Sequence, residues 1–543
     1  MTLAGVIFFL KTKKNMQDII KIKRALISVS DKSGLLPLAQ CLAESGCEII
    51  STGGTAKFLQ EHNLAITGIN KITGNSEAFS GRMKTISFQV ESAILFDREK
   101  DKAEAEDLGI KSIDMVVCNL YPFEKYLNQN YDPDTLIENI DVGGPTMIRS
   151  AAKNFKFVTV LCNPNDYNAV IDELNLNDCG ISFKTRKKLM TDAFNITADY
   201  DSVIASAMDK FNGEESLRLS FKGGKELRYG ENPHQQAMIF RESKADASLF
   251  DIEVLNGIEL SYNNILDVNA AIESVSGLQS KGCAVIKHNN PCGLAQGEGD
   301  SQVLRLAWNG DSVSAFGGVV AFNSPVNLST VLFFNFDAQD KQERKFIEII
   351  AAPEFSEEAL EYLSKQKKLR VIRFNPELTK NELDLKFVNG ALLSQTKDNR
   401  LYEKLEVVTK ATFDFESMHD LLLFGLHAVR QVKSNAIVTI RKTDGCYQLL
   451  GIGAGQPNRL NSIRLALEKT AANLHAEGKN SMDDVILFSD AFFPFEDNVK
   501  FSNQYGIKII VQPGGSIRDQ QIIGKCDQLG ISMIFTGTRH FKH

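Results

Sequence analysis

From Arg24 onward the chain alternates short apolar runs with helical spacings. "RALISVS" (24–30) predicts a strand, "GLLPLAQCLAESG" (34–46) a helix and "CEIIST" (47–52) a second strand. "GTAKFLQEHN" (54–63) is helical again. "DMVVCNL" (114–120) and "FVTVLCN" (157–163) read as further strands, the second leading into a helix after Pro164. Such alternation argues a parallel sheet covered by helices on both faces. It weakens across "GEESLRLSFKGGKELRYG" (213–230), a polar, glycine-bearing stretch, which places a domain boundary near residue 220. Beyond it "CAVIKH" (283–288), "GGVVAFN" (317–323), "NAIVTI" (435–440), "QLLGIGAG" (448–455), "DVILFSD" (484–490) and "IKIIVQPGG" (507–515) predict strands with helices between them. The charged segment 338–370 reads as helix and surface loop. The sequence shows no repeat and no low-complexity tract.

A length of 543 residues suggests roughly three or four domain-sized units, or two large ones. With 43% hydrophobic and 24% charged residues the chain has material for full cores. The net charge of −7 carries no long basic run, which argues against a nucleic-acid partner. Nine cysteines without CxxC pairs or Cys/His clusters read as reduced thiols of a cytoplasmic protein and argue against zinc. No apolar run reaches the roughly 18 to 20 residues of a membrane span. "LAGVIFFL" is short, has no basic residue before it and is followed by "KTKKN" without a small-residue cleavage site, so 1–22 reads as a loosely ordered extension rather than a signal peptide. Translation from Met16 is the alternative.

Two strand ends in the N-terminal half carry residues suited to an anion. "SVSDKSG" (28–34) and "STGGT" (51–55) put hydroxyl and glycine residues between a strand and a helix, where free backbone N–H groups and the helix dipole favour negative charge. Lys32 adds a mobile cation. Either loop alone reads as an ordinary N-cap; two of them after consecutive strands share the carboxyl edge of one sheet and favour a phosphate site. "GRMKT" (81–85) supplies Arg82 and Lys84, "NLYPF" (119–123) supplies Asn119 and Tyr121, and "DVGGPTMIRSAAKN" (141–154) supplies Asp141 and Lys153. In the C-terminal half "LRYGENPHQ" (227–235), "SYNNILDVNAA" (261–271), "KHNNPCG" (287–293), "SAFGG" (314–318), "VKSNAI" (432–437), "GIGAGQPNR" (451–459), "SDAFFPFEDN" (489–498) and the final "TRHFKH" (538–543) place polar side chains beside strands, where they can converge on a cleft. Pro291 and Gly293 read as breaking the chain into an exposed turn directly after His288.

These motifs, in this order and spacing, resemble the bifunctional family of 5-aminoimidazole-4-carboxamide ribonucleotide (AICAR) formyltransferase/inosine monophosphate (IMP) cyclohydrolase, from about residue 24 to 543. The resemblance implies an α/β chain of two domains: 23–220, a cyclohydrolase domain with a methylglyoxal synthase-like doubly wound parallel sheet, and 221–543, a formyltransferase domain similar to cytidine deaminases without their zinc. It implies that Ser30, Lys32, Ser51, Thr52, Gly53, Gly54 and Thr55 hold the nucleotide phosphate, with Arg82, Thr85 and Asn119 also binding substrate. Lys84, Tyr121, Asp141 and Lys153 would surround the reacting atoms. In the second domain His288 would take the amine proton, Lys287 would stabilise developing charge and Asn435 would donate to the oxyanion. Arg228, Tyr229, Asn264, Glu348, Arg459, Arg539 and Phe541 would bind AICAR, and Phe316, Phe495, Asp497 and Asn498 the folate. The resemblance also implies 10-formyltetrahydrofolate as formyl donor, no catalytic metal, and a homodimer whose formyltransferase sites are shared between subunits. The chain departs from the family after "GRMKT": it reads "ISFQVESAIL" (86–95) where Leu-His-Pro and a second histidine are usual, which bears on the local loop geometry. Two other readings compete, a catalytically weak N-terminal nucleotide-binding module beside a working transferase, and a regulatory ligand-binding protein. Lys84, Tyr121, Asp141 and Lys153 together argue against the first. Lys287, His288 and Asn435 argue against the second.

Overall fold

The computed structural model describes residues 18–79, 82–127, 132–378, 382–411 and 413–543. Residues 1–17, most of the expected extension and Met16 with them, lie outside the described residues. The extension as read runs too far: Ile19–Lys21 is a strand paired antiparallel with Gly180–Ser182. Two compact units divide between Ser220 and Phe221.

In the first unit five parallel strands lie in the order Ile66–Gly68, Glu48–Ser51, Arg24–Val29, Met115–Asn119, Thr159–Leu161. Helices cover both faces, and one core of buried aliphatic residues runs through the sheet. Arg24–Val29 is the first strand of this sheet in chain order, yet it pairs with the sheet's second strand on one side and its fourth on the other. The strand order therefore reverses between Arg24–Val29 and Met115–Asn119, and a crevice opens at their carboxyl ends.

The second unit is built on a twelve-stranded mixed sheet. Six strands run outward from its centre on each side. Asn290–Gly297, Lys281–Lys287, Gly318–Phe322, Ile347–Ala352, Arg370–Arg373 and Glu253–Asn256 form one half; Cys446–Gly453, Ile437–Thr443, Ile486–Ser489, Ile509–Gln512, Ser532–Phe535 and Glu406–Val407 form the other. Each half has the same directions: an antiparallel hairpin, an antiparallel neighbour, two parallel additions and an antiparallel edge. The halves meet where Ala295 pairs with Gln448 and Gln296 with Tyr447, antiparallel, so an approximate twofold axis passes between them. No sequence repeat announces this duplication. Successive strand residues face opposite sides. Ala284 and Ile286 enter a core that spans both halves under helices Tyr262–Ser276 and Phe415–Arg430, while Cys283 and Val285 enter a second core drawn almost wholly from the first half, with Cys446 from the other.

Two expectations fail here. Segment 338–370 is helix and surface only in part: Ile347–Ala352 is a buried interior strand between an exposed stretch and the helix Glu357–Ser364. "NNPCG" does not break the sheet either. His288 and Asn289 (φ 53° and 62°) make a two-residue turn with both residues left-handed, as a tight hairpin requires. Pro291 and Gly293 then lie inside the buried return strand Asn290–Gly297. A Cβ on Gly293 would overlap the carbonyl oxygen of Ala307 in the helix Asp300–Gly310 packed above, so this glycine permits close packing. Two hairpins of the second unit, Phe221–Leu227 with Ala237–Glu242 and Leu383–Val388 with Ala391–Thr396, join no larger sheet and expose Phe240, Phe387 and Leu393.

Candidate active sites

The crevice of the first unit is shaped by Asn119. Its Oδ1 accepts the backbone N–H of Ser30 (2.6 Å) and Asp31 (3.0 Å), and its Nδ2 donates to the carbonyl of Asp31 (2.8 Å). Asn119 thus spends its side chain holding the 30–34 loop, with Lys32 Nζ 3.5 Å from the Ser30 carbonyl. Thr55 Oγ1 bonds both the N–H and the carbonyl of Val29, Ser51 Oγ donates to the carbonyl of Ile27, and Thr52 Oγ1 lies 3.0 Å from Ser28 Oγ. These hydroxyls tie two strand ends together, so an anion would be met by the helix start at Gly53 and Gly54, where no side chain caps the helix Gly53–Glu61. Lys84 hangs over that start: its Nζ lies 3.7 Å from where a Cβ on Gly53 would stand and 3.5 Å from Glu77. Thr85, one residue on, is buried against Gly143 at the start of the helix Gly143–Lys153. Arg82 instead pairs with Glu138 at the surface.

Asp141 precedes this second helix. Burial pushes its carboxyl up from the ordinary range, against the pull of the Gly144 and Tyr121 N–H groups, the former at 2.8 Å. The Tyr121 side chain is exposed. Lys153 does not join this group. It is exposed at the opposite end of the 11-residue helix, about 15 Å from Gly143 along the axis. The "ISFQVESAIL" departure resolves into a helix, Phe88–Leu95, capped by Ser87 Oγ on Val90 N–H (3.1 Å). Ser150 of the Asp141 helix donates to Glu91 at 2.5 Å, fixing the replaced segment to it.

In the second unit a cleft of ≈ 540 Å³ is lined by residues between Asn435 and Phe541, all from the second half of the sheet. Seven expected residues from four separate segments line it: Asn435, Arg459, Phe495, Asp497, Asn498, Arg539 and Phe541. Arg459 is its electrostatic centre. It is buried, pairs with the fully buried Asp490, donates to Ser489 Oγ (2.8 Å), and through Nη2 donates to Asn435 Oδ1 (2.7 Å). Asn435 Nδ2 gives one N–H to the carbonyl of Gln456 (2.7 Å), leaving the other available. Asn498 Nδ2 is buried with no hydrogen-bond partner among the described residues. The terminal residues are fixed: His540 N–H donates to the Asp490 carbonyl (2.9 Å), and its ring is buried between Asp398 Oδ2 (2.7 Å) and the Leu401 carbonyl (2.9 Å), presenting Arg539 over the Phe541 ring at 4.4 Å.

The remaining expected residues gather outside the cleft, around the His288 turn. Lys287 Nζ donates to the carbonyls of Phe316 (3.2 Å) and Gly317 (2.8 Å), keeping one N–H free. Phe316 is exposed and packs on Phe346 at 5.2 Å. The His288 ring is exposed and has no hydrogen-bond partner among the described residues. Beneath the turn Asp267 accepts the Asn289 N–H at 2.7 Å; burial raises its pKa, and the neighbouring His288 and Lys287 moderate the rise. Glu348 meets Asn264 Nδ2 (3.5 Å) and Arg370 (3.9 Å). Asn264 spends its Oδ1 on Ser261 in a capping box, and Arg228 lies over the Tyr229 ring at 5.3 Å. The turn and the cleft are joined by Asn290 Oδ1, which accepts the Lys433 N–H at 3.0 Å two residues before Asn435. The sequence reading missed Asp267, Arg370 and Asp490. The first and last stand inside motifs quoted for other residues, and an Asp directly after a buried strand was the available signal. Among the described residues no group of three His, Cys, Asp or Glu side chains forms a metal site, and no helix is long and apolar enough to cross a membrane.

The chain is similar to known proteins along nearly its whole length. The family model described as "AICARFT/IMPCHase bienzyme" matches residues 151–469, and that of an "MGS-like domain" matches 34–146. The bifunctional purine biosynthesis protein PurH of Clostridium botulinum (strain Okra) is 44% identical over 524 residues, 96% of this chain and 100% of that protein. PurH of Aquifex aeolicus is 44% identical over 529 residues, with the same coverage. The crystal structure of ForH is 33% identical and covers 34% of this chain and 99% of that one, with a TM-score of 0.31.

Proposed function

This chain belongs to the AICARFT/IMPCHase bienzyme family, and from that premise we propose how its residues divide the chemistry. Its two activities are AICAR formyl transfer and closure of the product to IMP, in purine biosynthesis. Residues 221–543 carry the transfer and 23–220 the closure. The formyl donor is 10-formyltetrahydrofolate, and neither step needs a metal.

The amine of AICAR is a poor nucleophile because its lone pair is delocalised into the ring. Its attack on the formyl carbon therefore needs a base and a held oxyanion. His288, with a free ring nitrogen on a rigid turn, takes the amine proton. The uncommitted N–H of Asn435 and the third N–H of Lys287 stabilise the tetrahedral oxyanion, which collapses as the carbon–nitrogen bond to the folate breaks and the His288 imidazolium returns its proton to the departing nitrogen. Arg539 and Phe541 hold the nucleotide, Phe495 offers a face to the pterin, and Asp497 and Asn498 offer its polar edge. The convergence of seven expected residues on one cleft carries this reading.

For closure, the carboxamide nitrogen attacks the formyl carbon and the former formyl oxygen leaves as water. Lys84 and Tyr121 stabilise that oxygen. Asp141 accepts the amide proton, and the raised affinity that burial gives it makes it a stronger base. Lys153, a helix length away, has no part among the reacting atoms. We further propose a cytoplasmic homodimer: two-stranded hairpins are marginal alone, and the exposed Phe387 (79%) and Leu393 (57%) are suited to a second copy.

Incubating the full chain with AICAR and 10-formyltetrahydrofolate tests the reading. The absorbance spectrum should pass from substrate through the formyl compound to the closed purine. Absence of any product with this donor would remove the folate assignment.

A further inference from the structure

The loop Pro513–Arg518 borders the cleft and is not among the residues assigned above. Arg518 lies over the ring of Phe495, its guanidinium carbon 4.5 Å from the centroid. Phe495 itself lines the cleft. The arginine is exposed and pairs with no carboxylate among the described residues, whereas Arg459 inside is neutralised by Asp490. The loop is rigid. Asp519 Oδ2 accepts the N–H groups of Gly515 (2.7 Å) and Ser516 (3.1 Å), and Ser516 Oγ accepts that of Arg518 (3.1 Å). Gly514 (φ 73°) and Gly515 (φ 93°) take left-handed conformations, and a Cβ on Gly514 would run into the Phe535 ring. Ile517, beside the arginine, is fully exposed. An unpaired planar cation is thus fixed directly on an aromatic ring of the cleft, with an exposed apolar side chain beside it.

Resting on the reading of this cleft as the folate site, we propose that Arg518 is a specificity-determining residue that binds the glutamyl carboxylates of the formyl donor. The donor is a pterin joined through an aminobenzoyl group to one or more glutamates. With the pterin edge on Asp497 and Asn498, the anionic end emerges at the rim. Stacking on Phe495 preorients the guanidinium, whose fork of N–H donors matches a carboxylate two-point.

Steady-state kinetics of the full chain test this with three donors: 10-formyltetrahydrofolate, its triglutamate, and 10-formyltetrahydropteroate, which lacks glutamate. Arg518→Ala should raise KM about three- to fivefold for the first two, an exposed ion pair being worth no more. For the pteroate KM should stay within about 1.5-fold of wild type. Arg518→Lys should recover part of the loss, and salt should narrow the difference between variant and wild type. An equal rise for all three donors would assign Arg518 to the pterin stack alone, and no rise for any would remove it from the site; either overturns the proposal. If the wild-type chain uses none of the three donors, the folate reading itself fails, a result distinct from loss of discrimination between them.

Discussion

Asp490 is the group on which the cleft of the second unit turns, although its carboxylate is fully buried. Its Oδ1 pairs with Arg459 and its Oδ2 accepts the Ser434 hydroxyl at 2.6 Å, so it anchors both sides of Asn435. Asp490→Ala would leave the Arg459 guanidinium, whose side chain is 6% exposed, without a counter-charge. Breaking a buried pair from one side costs about 3–5 kcal/mol. At about 2 °C per kcal/mol for a unit of this size, the transition of the 221–543 unit should fall by about 6–10 °C in calorimetry of the full chain. The Arg459–Asn435 bond loses its fixed geometry at the same time, so formyl transfer should fall by about 10²-fold in kcat/KM, as when one oxyanion donor is misplaced. Replacing the pair together, Arg459→Met with Asp490→Leu, should restore most of the stability and none of the activity, because apolar substitution removes the buried charge but not the need for Asn435. An Asp490→Ala chain that melts with wild type and keeps its kcat/KM would refute the reasoning.

Three further outcomes follow. His288→Ala should lower formyl transfer about 10²-fold with the melting profile unchanged; a loss of only a few-fold in the same assay would take the proton from another group. Gly293→Ala should destabilise the second unit by about 1–3 kcal/mol or more in urea denaturation, because the strand cannot move away from Ala307 without parting the central hairpin; an unchanged midpoint would mean the helix yields instead. His427 is buried with Nε2 on the Ser274 carbonyl at 2.7 Å, and burial, reinforced by Arg430 and Lys542, lowers its pKa from 6.5 to about 4. The unfolded chain then binds this proton more readily than the folded one. The stability is fully present above pH 6.5 and drains away as pH falls toward 4, by about 3 kcal/mol in all. His427→Gln should flatten that fall in urea titrations, and a retained slope would assign it to other groups.

Strands buried on both faces were legible because they are near-continuous apolar runs between turn residues, and the observed Met115–Asn119 and Ile486–Ser489 lie within the expected spans. Ile347–Ala352 was not, because charged neighbours such as Lys345 and Glu354 set the tone of its segment. The return strand Asn290–Gly297 was hidden by Pro291 and Gly293, residues whose local preference is to break and whose tertiary reason, contact with a helix backbone, lies outside the strand. Candidate site residues at strand ends could be picked by type, since polar groups there have no place in the core. What stayed invisible were partners: Asp490 and Asp267 act through the residues they hold, and Lys153 shares a motif with Asp141 but not an end of the helix. Nor does spacing reveal that the hydroxyls of Ser51 and Thr55 are consumed by the sheet.

The approximate twofold relation of the half-sheets has an evolutionary consequence. Two copies of a half-length ancestor, paired along the same central strands, would have carried two identical pockets, one at each end of the axis. Fusion would free such copies to part ways: one hairpin tip is now His288–Asn289, while its counterpart, Asp444–Gly445, is a plain tight turn. Selection could then refine a single asymmetric pocket for two unlike substrates, which a site built from identical halves accommodates poorly.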